Sequence, residues 1–251
     1  DNIGPDDFAV VAADANLQLI EREALNIFYV GFNNVVAPYD NEQVRQAIAM
    51  GIDRQRIVDN FMPAGSEVAS HFTPCSIPGG CEGDAWYEFD VEAARTKLAE
   101  AGFPDGFDTK LFYRDVVRGY LPQPSVVAQD IQAQLLENLN IRVEIVVMES
   151  GAFLDAADSG ALDGLYLLGW GADYPDATNF LDYHFGLGAS DQFGDTFESI
   201  TTPLRAAAQI ADPAARLALY VEANQAIKDN VPMIPVAHGA SATAFKATVE
   251  G

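Results

Sequence analysis

Short apolar segments alternate with amphipathic helical segments along the chain, and this alternation constrains the fold more than any other feature. Residues 25–32 are apolar and aromatic, as expected of a strand, whereas Val44, Ile48 and Ile52 recur at the spacing of one helix face. Segments of the two kinds follow in the order β, α, α, β, α, β, α, β, α, α, β. This order favours an α/β domain with a mixed, partly parallel sheet flanked by helices.

Capping and turn residues bound the individual segments. Asp90 and Asp212-Pro213 are typical helix starts, and Gly102 is a typical helix stop. Strands are predicted at residues 25–32, 107–113, 141–145, 165–170, 233–237 and 243–249. One or two helices are predicted at residues 41–60, and single helices at 91–101, 124–139, 153–159, 180–185, 197–211 and 213–228, with a long loop at 61–84.

Size and charge limit the partners that the chain can have. Its 251 residues suffice for one large domain or two small ones, and no linker divides them. The 37 acidic residues against 14 Lys and Arg give a formal net charge of −23, which repels nucleic acid. Because the acids are scattered, the favoured interpretation is a solubilising surface, as in salt-rich habitats; attraction of cationic substrates is the alternative. No apolar run approaches the roughly 18 residues that span a membrane.

The chain has two cysteines, Cys75 and Cys81, separated by a short segment that contains one proline and two glycines. Such a segment can turn back on itself, so a disulfide is predicted, and a pair of free thiols is the alternative. A zinc site would need about four ligands, and only His71 lies nearby. A disulfide favours an oxidising compartment, in the periplasm or outside the cell.

The common catalytic and cofactor motifs are absent from the sequence. The histidines at positions 71, 184 and 238 are far apart, and isolated histidines of this kind are usually structural. The chain has no G-x-S-x-G elbow, no phosphate-binding loop and no dinucleotide fingerprint. The sequence therefore predicts no metal, no cofactor and no enzyme activity.

One segment, residues 167–176, combines an apolar strand with an unusual turn. After Leu168 the chain reads Gly169-Trp170-Gly171-Ala172-Asp173-Tyr174-Pro175-Asp176. The carboxyl end of a strand in an α/β domain is the usual place for ligand contacts. A carboxylate among large aromatic side chains is costly unless a cation meets it. The structural alternative is that Asp173 caps the next turn and Trp170 fills the core.

A second segment with similar placement is residues 113–122, which follow a predicted strand and precede a long helix. Arg118 in this segment could form a bidentate pair with a carboxylate. The alternative is an ordinary surface arginine in a loop.

Five blocks of sequence, in order, carry a resemblance to one family. They are PYDNEQVRQAIAMGIDR at 38–54, FDVEAARTKLAEAGFPDGF at 89–107, IQAQL with IRVE at 131–144, GWGADYPD at 169–176, and RLALY with VPMIP at 216–235. In these blocks the chain resembles the solute-binding proteins of peptide-type ABC importers, the dipeptide- and oligopeptide-binding family 5. The resemblance extends over nearly the whole sequence.

The resemblance implies a two-lobed protein of which this chain is a part. Family members have two lobes around a cleft, and the chain matches the second lobe with its crossover segments. We expect a crossover strand region at residues 1–30, the ligand-binding lobe at 31–238 and the return crossover at 239–251. The first lobe of the same polypeptide, an ABC permease and a peptide or similar small solute are the implied partners. The implied protein is monomeric and periplasmic or extracellular, with a lipid anchor upstream as a further possibility.

The resemblance also assigns ligand-binding residues. In peptide-binding members, the aspartate of the turn that matches Asp173 receives the α-ammonium of the ligand. The basic residue of the turn that matches Arg118 meets the ligand carboxylate. The remaining predicted site residues flank these two charges and are Trp170, Gly171, Ala172, Tyr174 and Tyr120.

Two other functions are compatible with the same residues. Members of the family also carry oligosaccharides, nickel chelates or haem, so the fold could hold one of these solutes. A hydrolase could use Asp173 and Asp176 as acid and base, but three residues of separation in a tight turn leave little room for a substrate.

Overall fold

The computed structural model describes residues 7–22 and 24–250. The helices are α1 (Phe8–Ala13), α2 (Glu42–Gly51), α3 (Arg54–Phe61), α4 (Val91–Glu100), α5 (Pro124–Leu139), α6 (Ser150–Asp158), α7 (Ala177–Phe185), α8 (Glu198–Ala207) and α9 (Pro213–Asn230). The strands are β1 (Leu17–Arg22), β2 (Asn26–Gly31), β3 (Glu67–Val68), β4 (Asp108–Arg114), β5 (Arg142–Met148), β6 (Leu165–Gly171), β7 (Met233–His238) and β8 (Ser241–Lys246). A 3₁₀ turn lies between α7 and α8, at Asp191–Phe193.

Six strands form the main sheet, in the order β3-β7-β2-β6-β4-β5. Strands β5, β4 and β6 run parallel to one another, whereas β2 is antiparallel to both β6 and β7. The predicted mixed, partly parallel sheet flanked by helices is confirmed.

The other two strands, β1 and β8, form a separate antiparallel ribbon in which Leu17 lies opposite Lys246 and Arg22 opposite Ser241. These strands fall within the two segments expected to cross to another lobe, and that assignment stays a prediction. The expected boundary after residue 30 falls inside β2, which is a central strand, so the main sheet begins at Asn26.

The capping residues act as the sequence predicts. The side chains of Asp90 and Asp212 accept hydrogen bonds from the backbone N–H groups of Ala93 and Ala215 and so start α4 and α9. The segment 41–60 holds two helices because the carboxylate of Asp53 accepts from Arg56 N and starts α3.

Two arginines are buried with main-chain oxygens as partners. Arg45 is 3% exposed and donates to the carbonyl oxygens of Tyr39, Asn230 and Val231. Arg54 is 8% exposed and donates to those of Ala69, Pro235 and Tyr87. Each guanidinium therefore ties together segments that are remote in sequence.

Cys75 and Cys81 form a disulfide, as predicted, and the free-thiol alternative is wrong. The buried side chain of Asn224 on α9 holds this loop by donating to the carbonyl oxygens of Gly79, Gly80 and Glu82.

Across the described residues, every helix is too short or too polar to cross a membrane.

The histidines of α7 and β7 are buried and structural. His184 packs edge-on against Trp170 and Phe72, and its Nδ1 lies 2.7 Å from the carbonyl oxygen of Phe180. His238 Nδ1 lies 2.7 Å from the carbonyl oxygen of Asn26. Burial lowers the pKa of each imidazole to about 4.

We expect His184 to make the fold less stable as the pH falls from about 6.5 towards 4. Between these pH values the imidazole is protonated in the unfolded chain but stays neutral in the folded chain. The free energy of unfolding therefore falls by up to roughly 3 kcal/mol per histidine. Urea unfolding at pH 7.5, 6.0 and 5.0 of the native chain and of His184→Met measures this loss. The variant should show a smaller decrease; equal decreases in both chains would contradict the prediction.

Candidate functional site

The carboxyl ends of three parallel strands meet at one edge of the main sheet. Because β4, β5 and β6 run in the same direction, their last residues, Arg114, Met148 and Gly171, share this edge. The turn predicted as a ligand site, residues 171–176, leaves the sheet here and leads directly into α7.

A buried amide, Asn179, fixes the geometry of this turn. Its Oδ1 accepts a hydrogen bond from Trp170 Nε1 at 3.1 Å and another from the backbone N–H of Asp173 at 3.0 Å. Asn179 lies in the first turn of α7, which starts where Asp176 caps the N–H of Thr178. Asn179 is not predicted from the sequence, where its only signal is its place three residues after a helix cap.

The carboxylate of Asp173 is exposed at the end of β6. Within residues 7–22 and 24–250 it makes no hydrogen bond and no ion pair, so it neither caps α7 nor balances an internal cation. The structural alternative for Asp173 is therefore wrong, and its charge is available to an external partner. The expectation that this carboxylate is poorly hydrated and needs a cation is also wrong, because the side chain is exposed to water. Trp170 is partly buried against α7, and Tyr174 is half exposed.

Asp176, by contrast, is engaged in the fold. Its carboxylate accepts from Thr178 and lies 3.3 Å from Arg216. Burial alone would raise the pKa of Asp176, but the hydrogen bonds from Thr178 and the charge of Arg216 outweigh it and lower the pKa. Asp176, one of the two residues of the hydrolase alternative, thus makes structural contacts with Thr178 and Arg216.

The second predicted segment packs against the first. The ring of Tyr120 lies over Gly169, where a Cβ atom would overlap both this ring and the carbonyl oxygen of Ile27, so only glycine fits. Arg118 forms a tight turn with Leu121 through two backbone hydrogen bonds. Its side chain is exposed and, among the described residues, has no hydrogen-bond or ion-pair partner.

Arg114, at the end of β4, holds Tyr120 in place. Its guanidinium is 9% exposed and donates to the hydroxyls of Tyr120, at 3.2 Å, and Ser150, at 3.0 Å. The sequence points to Arg118 in this segment and not to Arg114, because only the fold reveals which arginine is buried.

An open cavity of about 620 Å³ lies where these segments meet the ribbon. Its lining comes from four parts of the chain and consists of Leu25, Asn26, Gly119, Tyr120, Gly171, Ala172 and Ser241. Three predicted site residues, Tyr120, Gly171 and Ala172, are thus brought together. The side chain of Asn26 is fixed in this lining by two hydrogen bonds. Its Nδ2 donates to the carbonyl oxygen of Gly239, and its Oδ1 accepts from the backbone N–H of Gly239. In the part of the chain that the structure describes, no cluster of three or more His, Cys, Asp or Glu residues could hold a metal ion.

An α/β unit with an exposed carboxylate and an open cavity at the carboxyl edge of its sheet has the features of one lobe of a solute-binding protein. The family described as bacterial extracellular solute-binding proteins, family 5 Middle, matches residues 1–192. The chain belongs to this family.

Named relatives agree with this family and cover the chain almost completely. The chain is 29% identical over 248 residues to heme-binding protein A of Haemophilus influenzae and 28% identical over 254 residues to the dipeptide-binding protein of Escherichia coli. Each alignment covers 98% of this chain but only 45% and 46% of those proteins, so the chain spans about half the length of the curated relatives it matches.

Solved structures give the same result. A dipeptide-binding protein from Pseudoalteromonas sp. SM9913, crystallised with Met-Leu, superimposes with a TM-score of 0.89 at 27% identity. The match covers 99% of this chain and 49% of that one. HbpA2 of Haemophilus parasuis matches with a TM-score of 0.88 at 31% identity, over 98% of this chain and 49% of that one.

Proposed function

We propose that this chain is the second lobe of an extracytoplasmic solute-binding protein that captures peptides and delivers them to an ABC permease. The observation that carries the proposal is the exposed carboxylate of Asp173, which has no partner among the described residues and belongs to a turn whose backbone N–H donates to Asn179 Oδ1. The dipeptide-binding relatives support a peptide as the solute.

The charges of the site suit a free peptide. Asp173 would receive the α-ammonium and Arg118 the carboxylate, so the two residues would set the direction of the ligand. The first lobe of the same polypeptide would supply the other wall of the cleft, and closure of two lobes would exclude water and signal the loaded state. The whole protein would act as a monomer in the periplasm or at the cell surface, with an upstream lipid anchor as one form of attachment.

Asp173→Asn in the two-lobed protein is expected to weaken the binding of Ala-Ala by at least tenfold. The amide keeps the shape of the side chain but removes the charge that faces the ligand ammonium, a loss of at least about 1.4 kcal/mol. Isothermal titration calorimetry measures the change. Asp59→Asn is the control, because it removes the same charge from an exposed position of α3. Equal affinities for Asp173→Asn and the native protein would remove the basis of the proposal.

Haem is a second candidate solute, favoured by the similarity to heme-binding protein A. Titration of the two-lobed protein with haem, followed by its absorbance, tests this candidate beside the peptide calorimetry. The oligosaccharide and nickel-chelate alternatives have no comparable support in the similarities described above.

A further inference from the structure

An aromatic pair stands beside Asp173. The rings of Trp170 and Tyr183 stack with their centroids 4.1 Å apart and their planes at 24°. Asn179 binds both Trp170 Nε1 and Asp173 N, so this aromatic pair and the turn that carries the carboxylate are fixed relative to each other. One face of Tyr183 covers Trp170, yet the residue remains 49% exposed.

The surroundings of Tyr183 are negative. Burial, followed by the charges of Asp158 and Asp173, raises the pKa of its phenol. Asp158 is itself exposed, and partial desolvation together with the neighbouring Asp155 raises the pKa of its carboxyl. Within the described residues neither Asp158 nor Asp173 forms an ion pair. The exposed ring, stacked on Trp170, is therefore subject to the negative charges of Asp158 and Asp173.

We propose that Tyr183 is a specificity-determining residue, whose exposed ring receives a positively charged first side chain of the peptide while Asp173 holds the α-ammonium. This inference rests on the proposed function and names the class of peptide: those that begin with arginine or lysine.

Electrostatics favours a cationic side chain over a neutral one at this position. The face of an aromatic ring carries negative potential, and a guanidinium or ammonium within about 6 Å of its centre is attracted to it. The negative charge of Asp158 also attracts a cationic side chain of the ligand, whereas it does not attract a neutral one. The stack on Trp170 keeps Tyr183 in one orientation, so little side-chain entropy is lost on binding.

Two peptides of nearly the same shape test the inference in the two-lobed protein. Arg-Ala and citrulline-Ala differ in the charge of the first side chain, and we expect Arg-Ala to bind about tenfold more tightly. Tyr183→Leu should abolish most of this preference and Tyr183→Phe should retain it, because phenylalanine keeps the ring. Asp158→Asn should reduce the preference by weakening Arg-Ala alone. The control is Phe89→Leu, which removes a ring of similar exposure, 45%, outside the site.

The outcomes separate this inference from the proposed function. If citrulline-Ala and Arg-Ala bind equally to the native protein, or if Tyr183→Leu keeps the full preference, the inference is wrong and the peptide-binding function stands. Tighter binding of Phe-Ala than of Arg-Ala would show a neutral stacking surface and would also overturn it. If none of these peptides binds, the proposed function fails and the inference fails with it.

Discussion

Asn179→Leu is expected to weaken binding of Ala-Ala by more than tenfold and to lower the free energy of unfolding by about 2–4 kcal/mol. The substitution removes the oxygen that accepts from both Trp170 Nε1 and the backbone N–H of Asp173, and it leaves these donors without their partner. The turn would then lose the geometry that presents the Asp173 carboxylate. Calorimetry of the two-lobed protein gives the affinity, and urea unfolding gives the stability.

Asn224→Leu is the matched control for this prediction. Asn224 is as buried as Asn179, and its amide donates to three carbonyl oxygens in the disulfide loop, away from the turn after β6. This variant should lose comparable stability while its affinity for the peptide stays within about twofold of the native value. A parallel loss of affinity in both variants would mean that general destabilisation, and not the position of Asp173, controls binding.

Arg54→Met should lower the free energy of unfolding by about 3–5 kcal/mol, the largest stability effect that we expect from a single charge. Burial lowers the pKa of the Arg54 guanidinium to about 10, and its cost is offset by three main-chain carbonyl oxygens. Methionine fills part of the volume but leaves those oxygens buried without a donor. Urea unfolding at pH 7.5 measures the change.

Arg142→Met provides the comparison for Arg54→Met. Arg142 carries the same charge on an exposed strand position, where it pairs with Asp108 at the surface. Exposed ion pairs contribute about 0–1 kcal/mol, so this variant should remain close to the native chain. An equal decrease in the free energy of unfolding for the two variants would show that the hydrogen bonds of Arg54 to buried carbonyl oxygens are not the source of its stabilising effect.

The elements that the sequence predicts well have local causes. The helix α5 follows from apolar residues four apart, and α4 and α9 begin where Asp90 and Asp212 supply a capping oxygen. The main strands are short apolar segments between such helices. Helix α1 and the two-residue strand β3 are not predicted from the sequence, and β1 is predicted only as part of a crossover strand region at residues 1–30. The bounds of β1 depend on its pairing with β8, which lies more than two hundred residues away in the chain.

The site could be predicted only in part, for a similar reason. The turn with Asp173 stands out because glycines and aromatic residues follow an apolar strand. The residues that the sequence does not indicate lie in ordinary helix or strand segments. The fold brings Asn179 and Tyr183 into contact with Trp170. It also brings Arg114 into contact with Tyr120. The contact of each predicted residue with a ligand stays a prediction.

The ribbon of β1 and β8 has a mechanical consequence. Leu17 and Lys246 are paired at its far end, and the two strands reach the main sheet beside Asn26 and Gly239. A force that separates Leu17 from Lys246 breaks the backbone hydrogen bonds of the ribbon one pair at a time, so little force is needed. A force that pulls the two strands in opposite directions along their length loads all the pairs together, so the ribbon resists sliding of one strand past the other far better than separation from its far end.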